Sequence, residues 1–314
     1  MKIGFVGLGN VGGKLAGSLL RNGHDLYVHD LNADFVSDFV NRGAKDGKNP
    51  AELMRDCEAV ITCLPNPEAC AAVVTQMLPE ITAGKIWMEM STTDASEVTR
   101  LAEIVIAKGG AAVDCPVSGG CHRADTGNIS IFAGCERDTF ERMLPLLTTL
   151  GRRVLHTGPV GSASTLKVAT NYLATTNLLS VCEALVTMKA AGMDLGVTYE
   201  AFKISSGTSF AHETESQVIL NGSRNVTFTM DLVKKDIGLF QQIADKHGVP
   251  LEISPLIVSI FEDGIKRYGP RAQSDEIIRR LEDATGLSIL APGFPAELVD
   301  DAPEEAGYEV MPNS

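Results

Sequence analysis

Lys2-Ile3-Gly4-Phe5-Val6-Gly7-Leu8-Gly9-Asn10-Val11-Gly12 decides the fold. Lys2–Val6 reads as a buried strand, and from Asn10 to Arg21 the pattern becomes helical. Between them stands Gly-x-Gly-x-x-Gly, a weak pattern alone. A strand before it and a helix after it give it meaning. Gly7 allows the tight turn, Gly9 lets the backbone approach a pyrophosphate, and Gly12 lets helix and strand pack closely. The loop Gly7, Leu8, Gly9, Asn10, Val11, Gly12 then presents helical amides to phosphates. The competing reading is a turn that merely needs glycines, and Asp30 weighs against it.

Asp30 ends the second apolar run, Tyr27-Val28-His29-Asp30, 18 residues after Gly12. That spacing suits a carboxylate that holds the adenosine ribose hydroxyls. It would repel a 2′-phosphate, and no arginine follows within the next few residues, so NAD is expected over NADP. The alternative is that Asp30 caps the next helix.

Working outward, strands are expected at Lys2–Val6, Asp25–His29, Ala59–Leu64, Lys85–Met90, Ala111–Asp114 and Arg153–His156. Helices fall between them at Asn10–Arg21, Ala33–Asn41, Pro67–Leu78, Ala95–Ala107 and Arg137–Leu150. This alternation means an α/β, doubly wound parallel sheet. Ile129–Ala133 is one further strand candidate, possible in the antiparallel sense. After Gly158-Pro159 the chain turns all-α. Ser162 to Ala191 holds neither proline nor glycine and reads as one helix of about 30 residues, about 45 Å long. Helices follow at Thr198–Ser205, Thr229–His247, Ser254–Tyr268 and Asp275–Thr285. The expected domains are 1–160, binding the dinucleotide; 161–290, all-α; and 291–314, an acidic, proline-bearing, weakly ordered tail.

The 314 residues are 44% hydrophobic, enough for two domains with real cores. The net charge of −13 argues against nucleic acid or an anionic membrane as partner. No apolar run reaches the roughly 18–20 residues that span a bilayer. The first residues lack a convincing small-residue cleavage site and run into an amphipathic helix, which argues against a secretory signal. Seven cysteines without paired spacing point to reduced thiols and a cytoplasmic setting.

Other candidate chemistry sits at strand ends and on the long helix. Leu64-Pro65-Asn66 and Ser91-Thr92-Thr93 close the third and fourth runs, at the edge where open α/β sheets bind ligands; plain loop and cap roles fit Ser91 and Thr93 equally well. Val117-Ser118-Gly119-Gly120-Cys121-His122-Arg123 follows the fifth. Cys121 and His122 make no zinc spacing and no triad, so no metal is expected. Lys167 lies early in the long, largely apolar helix, with Asn171 four residues on and on the same face. A lone helical lysine is usually solvated; at a domain junction, partly desolvated, it becomes a candidate general acid/base.

Four motifs together resemble the β-hydroxyacid dehydrogenases: Gly7 to Gly12; Asp114-Cys115-Pro116-Val117-Ser118-Gly119-Gly120; Gly161 through Lys167 to Asn171; and Lys235-Asp236. The resemblance covers about residues 1–290 and implies a Rossmann-type N-terminal domain joined by the long helix to an all-α domain. It implies that Lys167 is the catalytic acid/base and that Asn171 orients the substrate. Ser118, Gly119 and Gly120 would bind a substrate carboxylate. Thr92 and Lys235, with Leu64 and Pro65 alongside, would meet the nicotinamide end of NAD. A homodimer or homotetramer is implied too. Two positions depart from the family pattern: Arg123 where glycine is usual and Asn128 where threonine is usual. Tyr172 also replaces a second asparagine. Arg123 or His122 is therefore expected to meet a second polar or anionic group on the substrate, against the alternative that Arg123 points to solvent or pairs with a neighbouring acid. Rival functions are an imine reductase on the same fold, which generally lacks this lysine, and a non-catalytic NAD-binding sensor or scaffold.

Overall fold

The computed structural model describes residues 1–312, in two compact units. One comprises Met1–Lys167 with the chain from Asp300 onward; the other is Val168–Val299.

The first unit is built on a ten-stranded sheet. Its strands are β1 (Lys2–Val6), β2 (Asp25–His29), β3 (Lys45–Asp46), β4 (Ala59–Thr62), β5 (Ile86–Glu89), β6 (Ala111–Asp114), β7 (Val117–Ser118), β8 (Ser130–Gly134), β9 (Arg153–Gly158) and β10 (Tyr308–Glu309). The order is β10-β9-β8-β6-β5-β4-β1-β2-β3, with β7 paired to β8. β1 to β6 are mutually parallel. From β1 the chain winds outward to β2 and β3, then returns to β4, so the crevice at the carboxyl ends of β1 and β4 is a topological switch point. Both sheet faces are covered. On β5, Ile86 and Met88 join the core around Phe5, Leu15 and Phe140, while Trp87 joins the core around Val60, Met77 and Leu101. Alternate residues pack to opposite sides, so the strand is apolar throughout.

The parallel rule fails beyond β6. β8 runs antiparallel to β6, as allowed for Ile129–Ala133, and β9 is parallel to β8. Arg153–His156 therefore runs against β1–β6 and not with them. The reversal falls between β7 and β8, which are antiparallel, across helix 120–125. Helix 137–150 then carries the chain across so that β9 keeps the direction of β8. In this unit β3, β7, β10, helix 50–56 and helix 120–125 escaped the sequence reading. Helix 50–56 did have a local signal, since Asn49 caps it from Glu52 N and Pro50 opens it.

The tail, expected from its composition to be weakly ordered, from Asp300 onward belongs to the first unit. Tyr308–Glu309 adds β10 to the sheet edge, parallel to β9. Arg137 grips Glu309 through two nitrogens at 2.6 and 3.1 Å. Arg152 pairs with Glu305. These acids have no basic neighbours in sequence, yet Glu304, Glu305 and Glu309 find arginines across the fold.

The second unit is helical: the long helix 162–190 continues into it, followed by 195–203, 210–221, 230–246, 253–268 and 279–285. Helix 210–221 went unanticipated; Ser209 caps it by accepting from His212 N. The unit boundary falls at Lys167/Val168, not at 160/161, because the first turn of the long helix is held by the sheet. The core gathers Leu178, Leu185, Ile219, Met230, Ile237 and Phe261. Among the described residues no helix is long and apolar enough to cross a membrane. Phe261 is fully buried; Phe261→Ala is expected to cost about 3–5 kcal/mol, read by urea denaturation.

Candidate active site

The glycine loop leaves β1 and opens helix 10–21. A Cβ at Gly12 would lie 2.0 Å from the Gly7 carbonyl oxygen, so this crossing admits no side chain. Asp30, just past β2, accepts from Leu8 N at 2.6 Å and from Asn32 N at 2.8 Å. Asn32 and not Asp30 caps the next helix, through Asp34 N. The capping alternative for Asp30 falls, and its carboxylate instead braces the glycine loop. Asn32, Asn49, Asn66 and Asp94 each cap a helix of this unit with a side chain, whereas helix 10–21 starts at Gly9 with no side-chain cap. A Cβ at Gly9 would meet nothing within 4 Å. An uncapped helix start with open space before it suits a pyrophosphate.

Beyond β4 and β5 the loops are tied by a carboxylate that the sequence reading missed. Glu89 is fully buried at the end of β5. One oxygen accepts from Thr62 Oγ1 and Cys70 Sγ, both at 2.6 Å; the other accepts from Ser91 N at 2.7 Å. Ser91 Oγ in turn accepts from Leu64 N at 2.7 Å. Burial pushes the Glu89 carboxyl above its ordinary range, and the hydrogen bonds from Cys70, Ser91 and Thr62 work the other way. Glu89 thus sets Leu64 and Pro65 against Ser91 and Thr92. Ser91 keeps the loop role the sequence allowed it. Thr93 is buried, and its hydroxyl has no hydrogen-bond partner among the described residues.

A second buried carboxylate, Asp114 at the end of β6, holds the start of the long helix. It accepts from Gly161 N at 3.0 Å, Ser164 N at 2.9 Å and Ser164 Oγ at 2.6 Å. Burial raises its pKa to about 6 against these bonds. Three residues after Ser164 stands Lys167, only 6% exposed, so the solvated-lysine alternative falls. The missed signal was an acid closing an otherwise apolar strand.

Ser118 lies in β7 and Gly119 and Gly120 follow it. Both glycines have positive φ, 134° and 84°, which L side chains rarely adopt. They open helix 120–125, which carries Cys121, His122 and Arg123. Desolvation and then the Arg123 charge lower the His122 pKa, and the Asp300 carboxylate works the other way. Burial pushes the Cys63 and Cys135 thiols up to about 12, so neither is a thiolate nucleophile.

In the helical unit, Asn171 donates to Asp236 at 2.5 Å, and Lys235 pairs with Asp236 at 3.2 Å. Asp236, buried, thus gathers the two predicted residues of this unit. Tyr172 stacks on Phe240 with ring centroids 4.3 Å apart, which accounts for the aromatic ring beside Asn171.

A switch-point crevice, a glycine loop braced by an aspartate and an uncapped helix start define a dinucleotide-binding unit of Rossmann type. A family model described as the NAD binding domain of 6-phosphogluconate dehydrogenase matches residues 2–158, and one described as NAD-binding of NADP-dependent 3-hydroxyisobutyrate dehydrogenase matches 161–281. The chain belongs to the β-hydroxyacid dehydrogenase family of NAD(P)-dependent enzymes. It is 32% identical over 293 residues to 2-(hydroxymethyl)glutarate dehydrogenase of Eubacterium barkeri, covering 92% of this chain and 97% of the relative. It is 29% identical over 294 residues to 3-sulfolactaldehyde reductase of Escherichia coli K12, covering 91% and 97%. The solved 3-hydroxyisobutyrate dehydrogenase of Salmonella typhimurium shares the fold, with a TM-score of 0.81 at 24% identity over 89% of this chain and 99% of that one.

Asp114→Ala is expected to cost about 2–4 kcal/mol, because it strands the buried donors of Gly161 and Ser164. The raised pKa means that the folded state binds the extra proton. Its stabilising share is therefore full below about pH 4 and fades as pH rises through about 6. Asp114→Asn should flatten that slope, read as denaturation midpoints across the window.

Proposed function

We propose that the protein interconverts a small β-hydroxyacid and its semialdehyde with NAD, and that the preferred acid carries a second anionic group. The observation that carries the reading is Lys167, buried one turn into a helix whose start Asp114 fixes at the sheet's carboxyl edge. Asn171 shares that helix face four residues on.

A bound nicotinamide supplies the two-electron exchange with the hydroxyl-bearing carbon. Lys167 Nζ takes the hydroxyl proton on oxidation and returns it to the carbonyl oxygen on reduction. Asn171, held by Asp236, orients that oxygen. Ser118 and the Gly119–Gly120 backbone bind the substrate carboxylate. Thr92, Lys235, Leu64 and Pro65 flank the nicotinamide end, and Asp30 selects ribose hydroxyls over a 2′-phosphate.

One relative supports the second anionic group, since its name specifies a glutarate, which is a dicarboxylate; the other, a sulfolactaldehyde reductase, supports an anionic substrate with a single sulfonate. Arg123 and His122 would meet such a second group. The intact Lys167–Asn171 pair favours this chemistry over imine reduction or a non-catalytic sensor. A cytoplasmic homo-oligomer, dimer or tetramer, with reduced cysteines completes the proposal; all seven cysteines are unbridged.

Lys167→Ala should lower kcat by at least about a thousandfold, with NAD affinity by calorimetry nearly intact. Retained turnover would refute the role. Wild-type protein should be more efficient with NAD than with NADP. Arg123→Ala should raise KM for 2-(hydroxymethyl)glutarate about tenfold or more while leaving 3-hydroxyisobutyrate little changed. Equal effects on both, or turnover of neither, would sink the substrate class.

A further inference from the structure

The sequence departs from its family at Arg123 and Asn128, and the structure places both beside the C-terminal tail. Asp300 accepts from Thr126 Oγ1 at 2.5 Å and from Asn128 Nδ2 at 2.8 Å. Asn128 Nδ2 also donates to Ala302 O at 3.0 Å, and its backbone N donates to Arg123 O at 2.9 Å. Arg123, Asn128, Arg152 and Asp300 line one cavity of about 210 Å³. The tail is anchored further along as well. Asn22 Nδ2 donates to Glu304 at 3.3 Å, Arg152 pairs with Glu305, and β10 lies on β9.

Helix 120–125 has only six residues, too few to hold itself by its own hydrogen bonds. Gly119 before it and Gly120 at its first position both have positive φ, so its entry is not stiffened by side chains. Its direction is therefore set by what grips its far end: Ala124 is buried in the core, Lys14 and Arg21 bond Asp125, and Asp300 holds the next residues, Thr126 and Asn128. Burial works against ionisation of Asp300, but the bonds from Thr126 and Asn128, then Ala302 N and the Arg123 charge, outweigh it and hold the carboxyl below its ordinary range. Both family models end by residue 281, so the tail lies outside them.

We propose that Asp300 is a positioning residue for the substrate helix: by holding Thr126 and Asn128 it fixes where His122 and Arg123 stand, and so tunes affinity for the second anionic group of the substrate. This rests on the reading that Ser118–Arg123 receives the substrate. It also explains Asn128: the amide reaches a carboxylate and a carbonyl at once, which the usual threonine hydroxyl, with a single proton, cannot do.

The test uses the full chain, assayed well below its melting temperature. Asp300→Ala should raise KM for 2-(hydroxymethyl)glutarate about tenfold, with kcat within about twofold and KM for NAD unchanged. Asp300→Asn, which keeps an oxygen acceptor, should restore most of the affinity. Asn128→Ala should resemble Asp300→Ala, and the double variant should be little worse than either alone. A fall in melting temperature with KM unmoved would assign Asp300 a purely structural role and overturn the inference. The two levels separate cleanly. If Arg123→Ala or Ser118→Ala raises KM and Asp300→Ala does not, only the positioning role fails. If none of the three changes KM, the substrate-helix reading fails with it.

Discussion

The grip of Asp114 on the start of the long helix is the interaction on which the rest depends. A carboxylate buried at the end of β6 faces two backbone N–H groups and one hydroxyl. These are orphan donors of a helix start, and burial makes each costly to leave unpaired. The cost of desolvating the acid shows in its raised pKa. In return the helix begins at one fixed place on the sheet, and Lys167 follows within one turn. A catalytic amine must be placed to fractions of an ångström, and a rigid element held at its root does this better than a loop.

Glu89 repeats the device one strand away. It ties Thr62, Cys70 and Ser91 together, and through Ser91 it reaches Leu64. Asp30 does the same for the glycine loop through Leu8. Three acids at the carboxyl ends of β2, β5 and β6 thus brace three separate loops. Each commits its hydrogen-bonding capacity to backbone, hydroxyl or thiol donors and not to a cation. Buried charge of this kind is tolerable when every oxygen is satisfied. It makes the sheet edge a preorganised frame before any ligand arrives.

The acidic tail shows the opposite economy. By composition it resembled a solvated, disordered end. Acids of this tail meet Arg137, Arg152, Thr126 and Asn128 on the sheet unit, and Tyr308–Glu309 extends the sheet. The strand covers an edge that would otherwise expose unpaired backbone groups.

Local pattern in the sequence determined the nucleotide-binding half. Gly7 to Gly12, Asp30 and the strand-helix alternation specify it because turn geometry, helix starts and period-two burial are short-range properties. Helical spacing likewise put Lys167 and Asn171 on one face. Only the tertiary structure decided which way β9 runs, that Asn32 rather than Asp30 caps its helix, and that Lys167 is buried. It alone revealed Asp114, whose partner Gly161 lies 47 residues away, and Asp300, whose partner Thr126 lies 174 residues away. Buried polar contacts over such separations leave no periodic trace in a single chain. They exist only once the fold has brought donor and acceptor to the same place.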